Sequence, residues 1–420
     1  MADPQQALAA QTSRQVAHWV LAASRLDLDE LASRDAWSHL ERYLGLSLRR
    51  HLQGVIDRLA ADARTLETLH AQARSLTAQA DVRRRLLAFQ RRYLRTERTL
   101  DFFADAINCR TNRQVAAMLR ACDTLAQRSM AQVLDAIGKP TPPAVTYLGE
   151  GRGASILKAH QRLWDGEICP VAAIKVTRHN LLRPTSLVHE AGHGVAAIAG
   201  WNEELAQALA AGLRREGASA QLADIWAGWA SEIAADAFSF VHTGFASIAA
   251  LHDVLDGDSP MVFRFMPEDP HPMGYVRVLL GVQMCRRFYG DGPWDALALA
   301  WTGTHRIEKA TREARDLIED SRPLLGAVVR IAIEQPLRAF RARALRELVQ
   351  PERVSPAALD ELGARLGDAL FTSAHWLWSE PLRILGLTGL RLARKPDDTA
   401  PILALQQRSM LRLGGALQTV

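Results

Sequence analysis

The stretch Thr185 to Gly200, TSLVHEAGHGVAAIAG, constrains this chain more than any other. Between its ends nearly every residue is apolar or small: Leu187, Val188, Ala191, Val195, Ala196, Ile198 and Ala199. Such a run reads as a helix that is apolar on most sides, and a helix of that kind belongs inside a packed structure. Thr185 or Ser186 is placed to cap its start, with Pro184 just outside, and Gly200 is placed to end it. Yet its centre carries His189, Glu190 and His193. Burying those groups without partners would cost about 2 kcal/mol or more each. A metal ion would supply the missing partner.

The spacing of the three residues, H-E-x-x-H, suits that task. His189 and His193 lie one helical turn apart, so both rings leave one face. Two imidazole nitrogens there fill two corners of a tetrahedral Zn2+ site. Glu190 is rotated from His189 by about 100°. It therefore reaches a water beside the metal rather than the metal itself, which is the position of a general base. Gly192 and Gly194 leave the backbone open to close approach.

Composition adds bounds. The chain has 420 residues, 48% hydrophobic and 23% charged, as expected of a globular protein with two or three domains. A formal charge of +5 over that length is weak support for nucleic-acid binding, and none is expected. Of the basic residues only five are lysine, a skew that genomic base composition explains as well as function does. Cys109, Cys122, Cys169 and Cys285 are far apart and form no C-x-x-C, so they read as buried thiols in a reducing compartment. The apolar piece from Val16 to Ala23 is broken by His18, and no basic region precedes a long apolar run. No signal peptide, membrane span or membrane partner is expected, and the expected location is cytoplasmic. Export by a machine that needs no cleavable signal stays open.

Along the chain, residues 1–138 read as a helical bundle or hairpin arm. Proline is absent from Gln5 through Lys139, and Leu48, Leu52, Val55, Leu59, Ala63 and Leu66 recur at three and four. Arg83, Arg84, Arg85, Arg91 and Arg92 read as a solvated helix face, with a basic surface for an acidic protein partner as the alternative. Residues 139–290 read as the core that carries the chemistry. In it, Gly149, Gly151 and Gly153 match no phosphate-binding loop, and 145–155 reads as a turn or flexible loop. Val171–Thr177 is the best strand in the chain. As an edge strand it would pair with an extended peptide; otherwise it is scaffold. Residues 291–420 read as a further helical region, with Trp294 and Trp301 at core spacing. Trp376, Leu377 and Trp378 read as an exposed patch or a domain interface.

A third metal ligand is needed. Trp226, Trp229, Ile233, Ala237 and Phe240 form a core stripe, and Glu232 and Asp236 sit at its margin, four apart and on one face. Glu232 is the preferred ligand, over Glu203, Glu204, Glu216 and His242. Asp236 is then placed to accept a hydrogen bond from the free nitrogen of a ligating histidine. In RFMPEDPHPMGYVR, residues 264–277, three prolines force a loop. If a helix starts at Pro272, His271, Tyr275 and Arg277 are expected to reach one cavity, where any of them could stabilise an oxyanion. The alternative has His271 capping the helix and Arg277 paired with a core acid.

With these residues in place the chain resembles the gluzincin metallopeptidases. The run SEIAAD, residues 231–236, resembles their E-x-x-x-D helix, in which the Glu is the third zinc ligand and the Asp supports a ligating histidine. HPMGYVR, His271 to Arg277, is similar to the H-P-x-x-x-x-R segment of the peptidase family that includes the CAAX prenyl protease and the heat-shock peptidase HtpX, where it lies by the active site. The resemblance covers about residues 170–280. It implies a mainly α chain with a zincin-like α+β core and a small sheet, flanked by helical regions. Members of that family are often embedded in membranes, which this chain is not expected to be. The third ligand lies farther from the histidines than in thermolysin-like enzymes, and Ala199 stands where a metzincin would need a ligand.

The expected activity is hydrolysis of a peptide or protein substrate, with zinc held by His189, His193 and Glu232 and with Glu190 as base. The competing expectation is an interaction or scaffold protein whose helical arm binds a partner and whose zincin core is structural or inactive.

Overall fold

A computed structural model describes residues 4–150, 155–157, 170–267 and 269–416. The chain is mainly helical with one small sheet. It divides into two compact units, one built on residues up to Thr111 and one on residues from Asn112 onward.

The first unit contains α1 (Pro4–Ser24), α2 (Leu28–Leu31), α3 (Arg34–Leu44), α4 (Leu48–Gln72) and α5 (Leu76–Asn108). The stripe read from Leu48 to Leu66 is wholly buried on α4. Leu59, Ala63 and Leu66 share a core with Val16 and Ala23 of α1 and with Val82, Leu86, Phe89 and Tyr93 of α5. Each leucine buried this way contributes about 2 kcal/mol. Ser75 caps α5 by accepting from the Ala78 amide. Arg83, Arg84 and Arg85 are exposed, the last two paired with Asp81, and Arg92 pairs with Asp62. These arginines line the solvent-facing side of α5.

The second unit opens with α6 (Arg113–Leu134), which packs on the sheet and on the helix that carries the histidines. The observed division therefore falls one helix earlier than the boundary at 138 read from the sequence. The reason is burial: α6 is buried on most sides, with Leu119, Ala121, Cys122, Leu125, Ala126 and Met130 inaccessible, and its neighbours belong to the second unit.

The sheet comprises β1 (Ala144–Leu148), β2 (Ser155–Leu157) and β3 (Ala172–Val176) in the order β1-β3-β2. β1 pairs parallel to β3, with Val145 opposite Ala173, and β2 pairs antiparallel, with Ile156 opposite Ile174. The strand expected at Val171–Thr177 is β3, but it is not an edge: both of its sides are paired. Strand β1 replaces the first part of the expected loop. Asp123 Oδ1 of α6 explains why, accepting from the Thr146 amide at 2.6 Å and from its hydroxyl at 2.8 Å. That long-range tie has no local signal. Gly151, Gly153 and Cys169 lie outside the described residues; Cys122 and Cys285 are buried.

There follow α7 (Thr185–Ala199), α8 (Trp201–Arg215), α9 (Ala220–Gly228), α10 (Ala230–Thr243), α11 (Phe245–Leu255), α12 (Ser259–Val262) and α13 (Gly274–Tyr289). Helix α7 is the expected apolar helix. Gly200 ends it in the left-handed conformation (φ 74°), donating to the Ala196 carbonyl. Its start differs from expectation: Pro184 holds the capping position and neither Thr185 nor Ser186 makes a capping hydrogen bond. The stripe Trp226, Trp229, Ile233, Ala237 and Phe240 is fully buried.

α7 and α10 pack closely because Gly192 has no side chain. A Cβ there would lie 3.0 Å from both Ala235 Cα and Phe238 Cβ. Helices α6, α8 and α11 also pack on α7, and α13 packs on α10. In the C-terminal part, Trp294, Trp301 and Leu377 are core residues, while Trp378 is partly exposed under the Arg128 guanidinium, 4.2 Å from its ring centre. Among the described residues no helix is long and apolar enough to cross a membrane.

Candidate metal centre

The α7–α10 seam turns two sequence spacings into one cluster. The helices run in opposite directions, so His193 meets Ser231 and Glu232, while His189, a turn earlier, meets Asp236. His189, His193 and Glu232 each offer a ligand atom, all within 4.8 Å of one another. His189 Nε2 lies 3.4 Å from Glu232 Oε2, and His193 Nε2 lies 3.2 Å from Oε1. Donors at about 2.0–2.1 Å from a tetrahedral centre are separated by about 3.3–3.4 Å. The two observed separations run to different carboxylate oxygens, and with one donor atom from each residue the set lies within 4.8 Å, so it is the chemistry of the donors, two imidazole nitrogens and a carboxylate, that fits a metal ion.

The outer nitrogens fix which ring atoms face the site. His189 Nδ1 lies 2.9 Å from Asp236 Oδ1, the support expected for Asp236. His193 Nδ1 lies 3.2 Å from Ser231 Oγ. Both rings thereby present Nε2 inward. Ser231 was missed at the sequence level. Its only signal is its place beside Glu232, because a serine carries no spacing rule of its own.

Charge in this buried cluster is arranged for a cation. Burial alone would favour a neutral His189, but its hydrogen bonds to Asp236 and Glu232 outweigh that and push it up to about 10. Burial likewise works against ionised Glu232 and Asp236. The two histidines and Arg277 hold Glu232 well below the usual carboxylate range, and Arg277 and His189 hold Asp236 down.

Arg277 reaches the cavity wall as expected, but its guanidinium is taken up by carboxylates. It is buried, and its Nε lies 2.6 Å from Asp236 Oδ2, while one terminal nitrogen lies 2.8 Å from Asp236 Oδ1 and 2.8 Å from Glu232 Oε2. It clamps both acids, which is the core-acid alternative read from the sequence. Tyr275 is not brought to the site. It is buried against Phe263 and Trp301, with ring centres 5.3 and 6.4 Å away, and is absent from the cavity wall. The reason is helical geometry: residues two apart on α13 project about 200° apart, so Tyr275 and Arg277 cannot share a cavity.

His271 does reach the cavity. It lies on the loop before α13, with its Nε2 3.7 Å from Glu232 Oε1. Asp269 Oδ1 orients it, accepting from its amide at 3.0 Å and contacting its Nδ1 at 2.7 Å. Glu190 is buried, lines the same cavity and is not one of the three grouped ligands. The cavity measures about 1070 Å³ and runs on from the cluster to α11 and the turn after it. No protein-family model, curated protein or solved structure matches the chain.

Proposed function

We propose that this chain is a zinc-dependent metallopeptidase with a zincin-like core. The observation that carries the reading is Glu190. A purely structural ion needs ligands and charge balance, which His189, His193, Glu232, Asp236 and Arg277 already provide. Glu190 adds a further carboxylate on the cavity wall beside that set. A group so placed has a use in catalysis and none in holding the ion.

His189, His193 and Glu232 would hold zinc, and zinc would supply Lewis acidity toward a water and a substrate carbonyl. Glu190 takes the proton of the attacking water and delivers it to the leaving amine. His271, steadied by Asp269, turns its Nε2 toward the cavity and the developing oxyanion. Arg277 keeps Glu232 and Asp236 ionised through the cycle.

The test pairs metal content with cleavage of a peptide library. Wild type binds one zinc per chain and His193→Ala binds none. Glu190→Gln retains zinc and loses at least about 10²-fold in turnover, the usual worth of a general base. Equal cleavage by wild type and Glu190→Gln would remove Glu190 from the mechanism. Zinc in both with cleavage by neither would favour an interaction protein with a structural ion.

A further inference from the structure

The cavity continues beyond the metal group along the same seam. One turn further on in the α7–α10 register stand Ser186 and Ser239, both on the cavity wall, followed by Asn180 from the turn before α7. Ser186 Oγ, Ser239 Oγ and Asn180 Nδ2 are buried and have no hydrogen-bond partner among the described residues. Asn180 is 8% exposed and Ser239 is 3% exposed. Buried polar atoms in native proteins are nearly always paired. Three orphans on the wall of one cavity point to a ligand that pairs them.

The far wall has the opposite deficiency. Asp253, Asp256 and Asp258 come from the end of α11 and the turn after it, where the helix also presents its carbonyl end. Arg183 answers Asp253, and His305 lies 3.0 Å from Asp256, which remains half exposed. With Glu190, Glu232 and Asp236 the described wall carries six carboxylates against the guanidiniums of Arg183 and Arg277. One divalent ion cannot neutralise that excess, although the chain as a whole is formally +5. A cleft of one sign with low-dielectric walls concentrates ligands of the other sign.

We infer that this half of the cavity is a specificity subsite for a peptide bearing a cationic side chain, with Asp256 and Asp258 attracting the Lys or Arg and Asn180 donating to a backbone carbonyl of the same segment. A bare cation or a polyamine would satisfy the carboxylates but leave the Asn180 amide without an acceptor. A basic peptide supplies both. The substrate class rests on the metallopeptidase reading; the preference for positive charge does not.

The experiment uses the zinc-loaded, full-length Glu190→Gln chain and fluorescein-labelled hexapeptides of alanine. A single Arg, Gln or Glu is scanned through the positions, and binding is read by anisotropy at low and high salt. At one or more positions Arg binds at least about tenfold tighter than Glu, and the gap narrows with salt. In Asp256→Asn/Asp258→Asn the gap shrinks severalfold while zinc content holds, because asparagine keeps the shape and still caps α12. Equal binding of Arg and Glu peptides at every position, an unchanged gap in the double variant, or no binding at all would overturn the subsite. Cleavage of the same peptides by wild type separates the two readings. Cleavage without charge preference sinks the subsite and spares the peptidase; Arg-selective binding without cleavage does the reverse.

Discussion

Two helix seams in this protein are built from opposite materials. Between α4 and α5 the first unit buries Leu59, Leu66, Leu86 and Phe89, with charge kept to the outside. Between α7 and α10 the second unit buries His193, Glu232, Asp236 and, from α13, Arg277, with His189 half-buried beside them. The apolar seam holds itself together by area, and any one contact is replaceable. The polar seam holds only as a set, because each charge is tolerated through its partners. What can be lost from the first gradually is lost from the second all at once.

The largest expected effect tests that claim directly. Arg277→Met leaves Glu232 and Asp236 buried without their guanidinium, and breaking a buried pair this way costs about 3–5 kcal/mol. Leu59→Ala in the apolar seam costs about 2–4 kcal/mol by the usual cavity penalty. Denaturant unfolding measures both. The discriminating readout is added zinc: it restores much of the Arg277→Met loss, since a cation replaces a cation, and restores none of the Leu59→Ala loss. Zinc rescuing both alike, or neither, would erase the distinction between the seams.

Next in size are the groups behind the ligands. Asp236→Ala weakens zinc affinity by about 10- to 100-fold and Ser231→Ala by a smaller factor, about threefold, because a carboxylate orients and charges its histidine more than a hydroxyl does. Competition with a chelator of known affinity ranks the variants. The reverse order would mean that His193, rather than His189, dominates the site.

The last comparison is between two histidines. His189, among acids, is pushed up, whereas His242, buried with its Nδ1 2.8 Å from the Phe238 carbonyl and no carboxylate, is pushed down to about 4 by burial. Its folded value lies below the ordinary 6.5, so between the two the unfolded chain binds the extra proton. Stability from this group is intact above pH 6.5 and drains away as pH falls toward 4. Between pH 7.5 and 5 wild type loses roughly 2 kcal/mol more than His242→Gln. Parallel stability curves for the two proteins would show that His242 does not titrate on unfolding.

The sequence was readable where one element contains its own pattern. The four-residue spacing of His189 and His193, the stripe around Glu232 and the leucines of α4 each belong to a single helix, and periodicity reports a helix well. It fails where the information crosses elements. Arg277 reads equally as an oxyanion donor or a clamp until α10 is seen against α13. Thr146 reads as loop until Asp123 of α6 is found beneath it. The acidic wall from α11 lies some sixty residues from His193 and announces nothing at that distance.

Gly192 has a further consequence, for which ion the site accepts. A Cβ at this position would come within 3.0 Å of Ala235 and Phe238, so the close approach of the α7 histidines to the α10 carboxylate depends on the bare backbone here. Metal–ligand lengths tolerate about 0.2 Å. An alanine at 192 would wedge the helices by a comparable amount, enough to disfavour an ion bound at about 2.0–2.1 Å and to admit larger ones bound at about 2.3 Å or more. If the site takes zinc as proposed, the missing methyl group acts as a size filter, placed one residue before the histidine it calibrates.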